Sequence, residues 1–156
     1  MSNTVTLFKV FEPGDEKGTY LSPFTPEPIR VIYKRGEKSF PHPVMRELGF
    51  PLFAFRSWDI ADKFRYYVAP FTSVWYVEAK VIDLPDFKFL SYKQLEYLAK
   101  LIEANAPLRV LKEYLAELEK YDLYPPPDRF DRDTVFCEWI KPIRAVGISV
   151  DWGGRL

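Results

Sequence analysis

Apolar and polar residues along this chain follow two rhythms. Period-two or continuous β-branched and aromatic runs occur at Val5–Phe11 (VTLFKVF), at 29–35 (IRVIYKR), at 52–55 (LFAF) and at 72–82 (TSVWYVEAKVI), and each is bounded by Pro, Gly or charged residues. Such runs predict strands. In the second run Ile29, Val31 and Tyr33 alternate against Arg30, Ile32 and Lys34. In the fourth, Ser73, Trp75, Val77 and Ala79 form the better inward set, against Val74, Tyr76 and Glu78. Two more strands are expected at 134–140 and 143–150, joined at Lys141-Pro142.

A 3.6-residue rhythm appears in three places. Ser57 is an N-cap candidate with Asp59 in the first turn, and Ile60, Ala61, Phe64 and Val68 share one face before Pro70. Ser91 and Gln94 have capping-box spacing, followed by the stripe Tyr92, Leu95, Leu98, Ala99 and Ile102. Pro107 opens a further helix with Leu108, Leu111, Leu115 and Leu118 on one face. The short break at Asn105-Ala106 makes the last two a hairpin. The proline-rich stretches 20–28 and 124–133 read as extended loops, and 40–51 as a connection with a helical turn at 44–48.

The sum is one α+β domain over residues 1–156. It has a single mixed or antiparallel sheet of about six short strands, one helix after the third strand, and a helical hairpin before the last two.

Composition narrows the chemistry. With 156 residues, 47% hydrophobic and 17% aromatic, a core is easily filled. The 22 basic and 22 acidic residues cancel, so no overall field attracts nucleic acid or an acidic membrane. One cysteine and one histidine exclude a disulfide framework and a Cys/His zinc site. There is no long apolar run, and the pattern passes almost directly into a strand after Met1, so a reducing cytoplasmic location is expected. One Gln, two Asn and two Met beside many Lys, Glu and Pro fit a heat-adapted source.

Candidate sites must be weighed against plain structural roles. The seven glycines form no phosphate loop. His42, between two prolines, reads as a surface-loop histidine, and Cys137, sharing a face with Val135 and Trp139, as a buried inert thiol. Arg56 and Arg65 could grip an anion at the start of a helix, but Asp59–Lys63 and Asp62–Arg65 have the spacing of ordinary surface pairs. The basic run 30–38 is either a strand edge or a nucleic-acid stripe with Tyr33 stacking on a base; residues 56–65 would extend that stripe. Asp128, Asp131 and Asp133 lack the spacing of a calcium loop, and no metal site is expected.

Glu138 stands within an apolar strand, on a face with Thr134, Phe136 and Ile140. It is a catalytic acid, an ion-pair partner or a surface charge, and its neighbour across the sheet decides which.

The strand carrying Tyr33 to Gly36, then FAFRSWDIADKF and CEWIKPIRAVGI, resemble small ADP-ribosyltransferase-like domains of phages and bacteria, many without an assigned role. The resemblance implies that Glu138 orients the ribose of NAD and stabilises an oxocarbenium-like transition state. It also implies that Tyr33 is the NAD-holding aromatic, and Arg30 or Lys9 the basic residue.

Two classes therefore stay open. One is a small interaction or accessory protein, of a virus or phage of a thermophile, binding a protein partner without a cofactor. The other is an NAD-dependent ADP-ribosyltransferase-like enzyme or degenerate relative using Glu138, Arg30 and Tyr33. Nucleic-acid binding is a third reading.

Overall fold

The computed structural model describes residues 4–68 and 70–146. In chain order the strands are β1 (Thr4–Pro13), β2 (Thr19–Leu21), β3 (Ile32–Lys34), β4 (Leu52–Phe55), β5 (Ser73–Val81) and β6 (Thr134–Ala145). The α-helices are α1 (Pro43–Glu47), α2 (Trp58–Val68), α3 (Tyr92–Glu103) and α4 (Leu108–Lys120). Every strand pair is antiparallel, and the six strands make one sheet, so the fold is α+β.

Four of the strands close on themselves. β1 pairs with β5 from Thr4↔Lys80 to Phe11↔Ser73, β5 pairs with β6, and β6 pairs with β4. β4 returns to β1 through the single pair Phe8↔Phe55. β2 and β3 extend from the end of β1. Inward residues of the ring, among them Leu7, Phe11, Val77, Ala79, Val135, Cys137 and Ile140, form its core, with Tyr33 of β3 packed in. On β5 the inward set is Trp75, Val77 and Ala79, as the alternation predicts. The opposite face is not open to water throughout. Val74 is fully buried, because the Ala61, Ile60, Phe64 and Val68 face of α2 lies on it together with Val10 and Phe55.

The hairpin has a core of its own. Leu98, Ala99 and Leu111 bury against Ile29 and Met45, not against the ring. Its local signals hold: Ser91 and Gln94 complete the capping box, and Asn105, at φ 60°, supplies the left-handed residue that ends α3. Pro107 is the extended residue before α4 rather than its first helical residue.

Four expectations change. The break at Lys141-Pro142 does not exist, and β6 runs through it as one strand; residues 147–150 of the expected final strand lie outside the described residues. Proline is tolerated because the register shifts there: Tyr76 faces Arg144 and Val77 faces Pro142, leaving Ile143 as an extra residue. A second shift, Lys80↔Trp139 then Val81↔Cys137, leaves Glu138 as the extra residue of another bulge. Alternation is therefore reset at Glu138. Ile140 joins Cys137 and Val135 in the ring core, and Trp139 does not. Third, the loop expected at 20–28 begins inside a strand, since Tyr20 and Leu21 pair with both β1 and β3. Fourth, 29–35 is a strand only over Ile32–Lys34, preceded by a 3-10 turn at Glu27–Ile29.

Candidate ligand-binding cleft

Between the ring and the hairpin lies a cleft of about 570 Å³. That volume falls within the range of small-molecule sites. Its lining comes from β4, from Phe64 and Tyr67 of α2, from Ile29, Met45 and Leu95 of the hairpin core, and from Phe87, Phe89, Leu90, Pro125, Pro126 and Phe130 among the loops. The lining is chiefly apolar and rich in aromatic rings. Phe53, Phe87, Phe89 and Phe136 pack ring to ring, with centroids 5.1–5.9 Å apart, and Phe55, Phe64 and Phe130 form a second cluster. Phe24 bridges the mouth, edge-on to Phe64 on α2 at 6.5 Å and to Tyr92 on α3 at 6.4 Å. It is 55% exposed and has φ 60°, a left-handed conformation that a phenylalanine adopts at a cost of about 1 kcal/mol or more.

Most polar side chains on the cleft wall are engaged locally. Ser91 Oγ accepts from the Gln94 N–H, and His42 Nδ1 accepts from the Val44 N–H. Asp128 Oδ1 accepts from the Phe130 N–H, Asp131 Oδ2 from the Asp128 N–H, and the Thr134 hydroxyl donates to the Phe130 carbonyl. His42 is thus a half-buried helix cap rather than a free surface histidine. Burial raises the Asp131 carboxyl above its ordinary value.

Lys9 is different. It lies in inward register on β1, opposite Trp75, and is only 7% exposed. Since β1 and β4 touch at one residue pair, the Phe53 carbonyl has no ladder partner on β1, and the Lys9 ammonium donates to it. The Nζ lies 5.6 Å from the Tyr33 ring centroid and 6.0 Å from that of Phe11. Among the described residues no carboxylate pairs with it. Desolvation brings Lys9 down to about 8, partly opposed by Cys137. Burial also pushes the Cys137 thiol up to about 12, which fits the inert thiol expected, and raises Tyr33 well above the usual phenol value.

Of the catalytic and ligand-holding residues singled out from sequence, Lys9 and Tyr33 meet in this cleft and the others do not. Tyr33 lines the cleft, but Arg30, Arg56 and Glu138 do not. Tyr33 is 1% exposed and packs against Phe11 at 4.8 Å, so it has no free face for a nucleic-acid base. Arg30 follows the 3-10 turn with its Nε buried and without a hydrogen-bond partner. Arg56 is exposed and holds Asp133 only through its backbone. Asp133 itself accepts from the N–H and hydroxyl of Ser57, fixing the start of α2. Glu138 turns outward at its bulge and pairs with Lys80 at 3.3 Å. Among the described residues no cluster of His, Cys, Asp and Glu could hold a metal ion, and no helix is long and apolar enough to cross a membrane.

Lys9 had a legible signal. It is the one charged residue in VTLFKVF, flanked in its own register by Leu7 and Phe11.

The chain matches no protein-family model, and no curated protein and no solved structure matches it.

Proposed function

We propose that this chain is a binding protein whose cleft takes up a small, largely apolar molecule. One observation carries this reading: a 570 Å³ cleft lined mainly by aromatic and aliphatic side chains, with one buried lysine among its few polar groups. Apolar walls with few convergent polar groups are what small-molecule sites have in common. A binding role also accords with the chemistry at hand. Glu138, the carboxylate the sequence offers for catalysis, lies outside the cleft, and Lys9 has only weakly acidic neighbours in Tyr33 and Cys137. NAD-dependent transfer would need Glu138 and Tyr33 on one bound ribose.

Titration with Nile red, an uncharged apolar dye, tests the reading. Saturable one-to-one binding is expected, weakened at least tenfold by Thr25→Trp, which fills the cleft, and unchanged by Trp58→Ala, outside it. Absence of saturable binding, or indifference to Thr25→Trp, would refute it.

A protein partner is the second reading. Tyr66, Tyr67 and Phe71, at 75%, 62% and 73% exposed, crowd the end of α2, and aromatic side chains are enriched at interfaces. Loss of partner capture in a Tyr66→Ser/Phe71→Ser variant with an intact cleft would favour it.

A further inference from the structure

We infer that the ligand is an organic monocarboxylate with an aromatic body, its carboxylate docking on the Lys9 ammonium at the splay between β1 and β4. The inference rests on the cleft reading above and adds the class of ligand.

The geometry supplies both halves. An ammonium carries three N–H donors, and the Phe53 carbonyl takes one. The faces of Tyr33 and Phe11 stabilise the cation without neutralising it. A buried cation without an anion is costly, and a carboxylate accepting its remaining protons would form charge-assisted hydrogen bonds in a site screened from water. Among the described residues no carboxylate reaches the Lys9 ammonium. Cys137 faces Lys9 from β6 and Tyr33 faces it from β3, and burial keeps both protonated. The cleft's own carboxylates, Asp128 and Asp131, stand on the 125–134 wall with their backbone partners and repel a second anion there. The ligand is thereby oriented, its carboxylate on Lys9 and its ring among Phe53, Phe87 and Phe89.

Calorimetric titration of 4-phenylbutyrate and the uncharged 4-phenylbutan-1-ol, matched in ring and tether, tests this. At pH 7 the carboxylate should bind at least tenfold tighter. Its affinity should fall about tenfold from pH 7 to pH 9 as the ammonium is lost near 8, while the alcohol stays constant. In Lys9→Met the preference for the carboxylate over the alcohol should be lost. Equal binding of both to the unaltered chain, or a preference surviving Lys9→Met, overturns the carboxylate and leaves the cleft standing. Failure of both probes and of Nile red overturns the cleft itself. Should Lys9→Met not fold, the pH series on the unaltered chain decides alone.

Discussion

Lys9 and Lys80 stand on adjacent, fully paired strands, and the sheet treats them in opposite ways. Lys80 faces outward, 44% exposed, beside Glu138 at 3.3 Å, with the Lys141–Glu78 pair at 3.2 Å nearby on the same two strands. Water screens such pairs, and each contributes about 1 kcal/mol or less. Lys9 faces the ring interior and the cleft, and keeps its charge with one carbonyl and two rings for company. The ion pair lowers the energy of a charge that water would have tolerated anyway. The solitary lysine raises the energy of the folded chain, which is how a residue kept for binding behaves. A complete salt bridge is thus the weaker functional signal of the two, and an incomplete one the stronger.

The comparison can be broken at several points. The largest effect belongs to the ring that holds both lysines: Phe11→Ala, removing a fully buried ring from its core, should cost about 3–5 kcal/mol in denaturant unfolding. A cost below about 1 kcal/mol would mean the ring core is not the stabilising unit.

Lys9→Met should act in the opposite direction. Burial of the ammonium is relieved, and we expect a gain of about 1–2 kcal/mol at pH 7 after the lost bond to Phe53 is counted. The pH dependence separates this from mere repacking. The unfolded chain holds this proton to its ordinary value of 10.5, and the folded chain releases it near 8. Between these values the unfolded state binds more protons, so stability rises with pH. The unaltered chain should gain about 1 kcal/mol relative to Lys9→Met between pH 8 and 9. Above pH 9 the raised Cys137 and Tyr33 work the other way, their stabilisation falling as the unfolded groups ionise, and the comparison is best made below that point. A pH-independent difference would show that Lys9 is not held as a buried cation.

Ser91→Ala removes half of the capping box at the cleft rim and should cost about 1 kcal/mol, with weaker Nile red binding as α3 frays. The smallest effect is expected from Glu138→Gln, below about 1 kcal/mol and without change in ligand affinity. Any loss of binding in that variant would move the site to the outer face and reverse the comparison.

Local chemistry was legible wherever it was self-contained. The capping box at Ser91, the apolar face of α2, the inward set of β5 and the helical hairpin each depend on residues within a few positions of one another. Glu138 and Pro142 were misjudged together, and for one reason. Alternation can be counted along a strand only while register holds, and a bulge is visible only against the partner strand β5. The candidate site was hidden in the same way. Lys9 stands out in VTLFKVF as the one charge among apolar residues, but nothing in that stretch says that a cleft will form beside it or that Tyr33 will meet it there.

Taken alone, the sequence determined the class of fold, the helices and most strand positions, since propensity, capping and periodicity act over short stretches of chain. The tertiary structure decided that four strands close into a ring, that Glu138 turns out to meet Lys80, and that Lys9 turns in toward a cleft between two separate cores. Those outcomes depend on pairings between residues tens of positions apart. Burial, which sets the cost of a charge, exists only once those pairings are made.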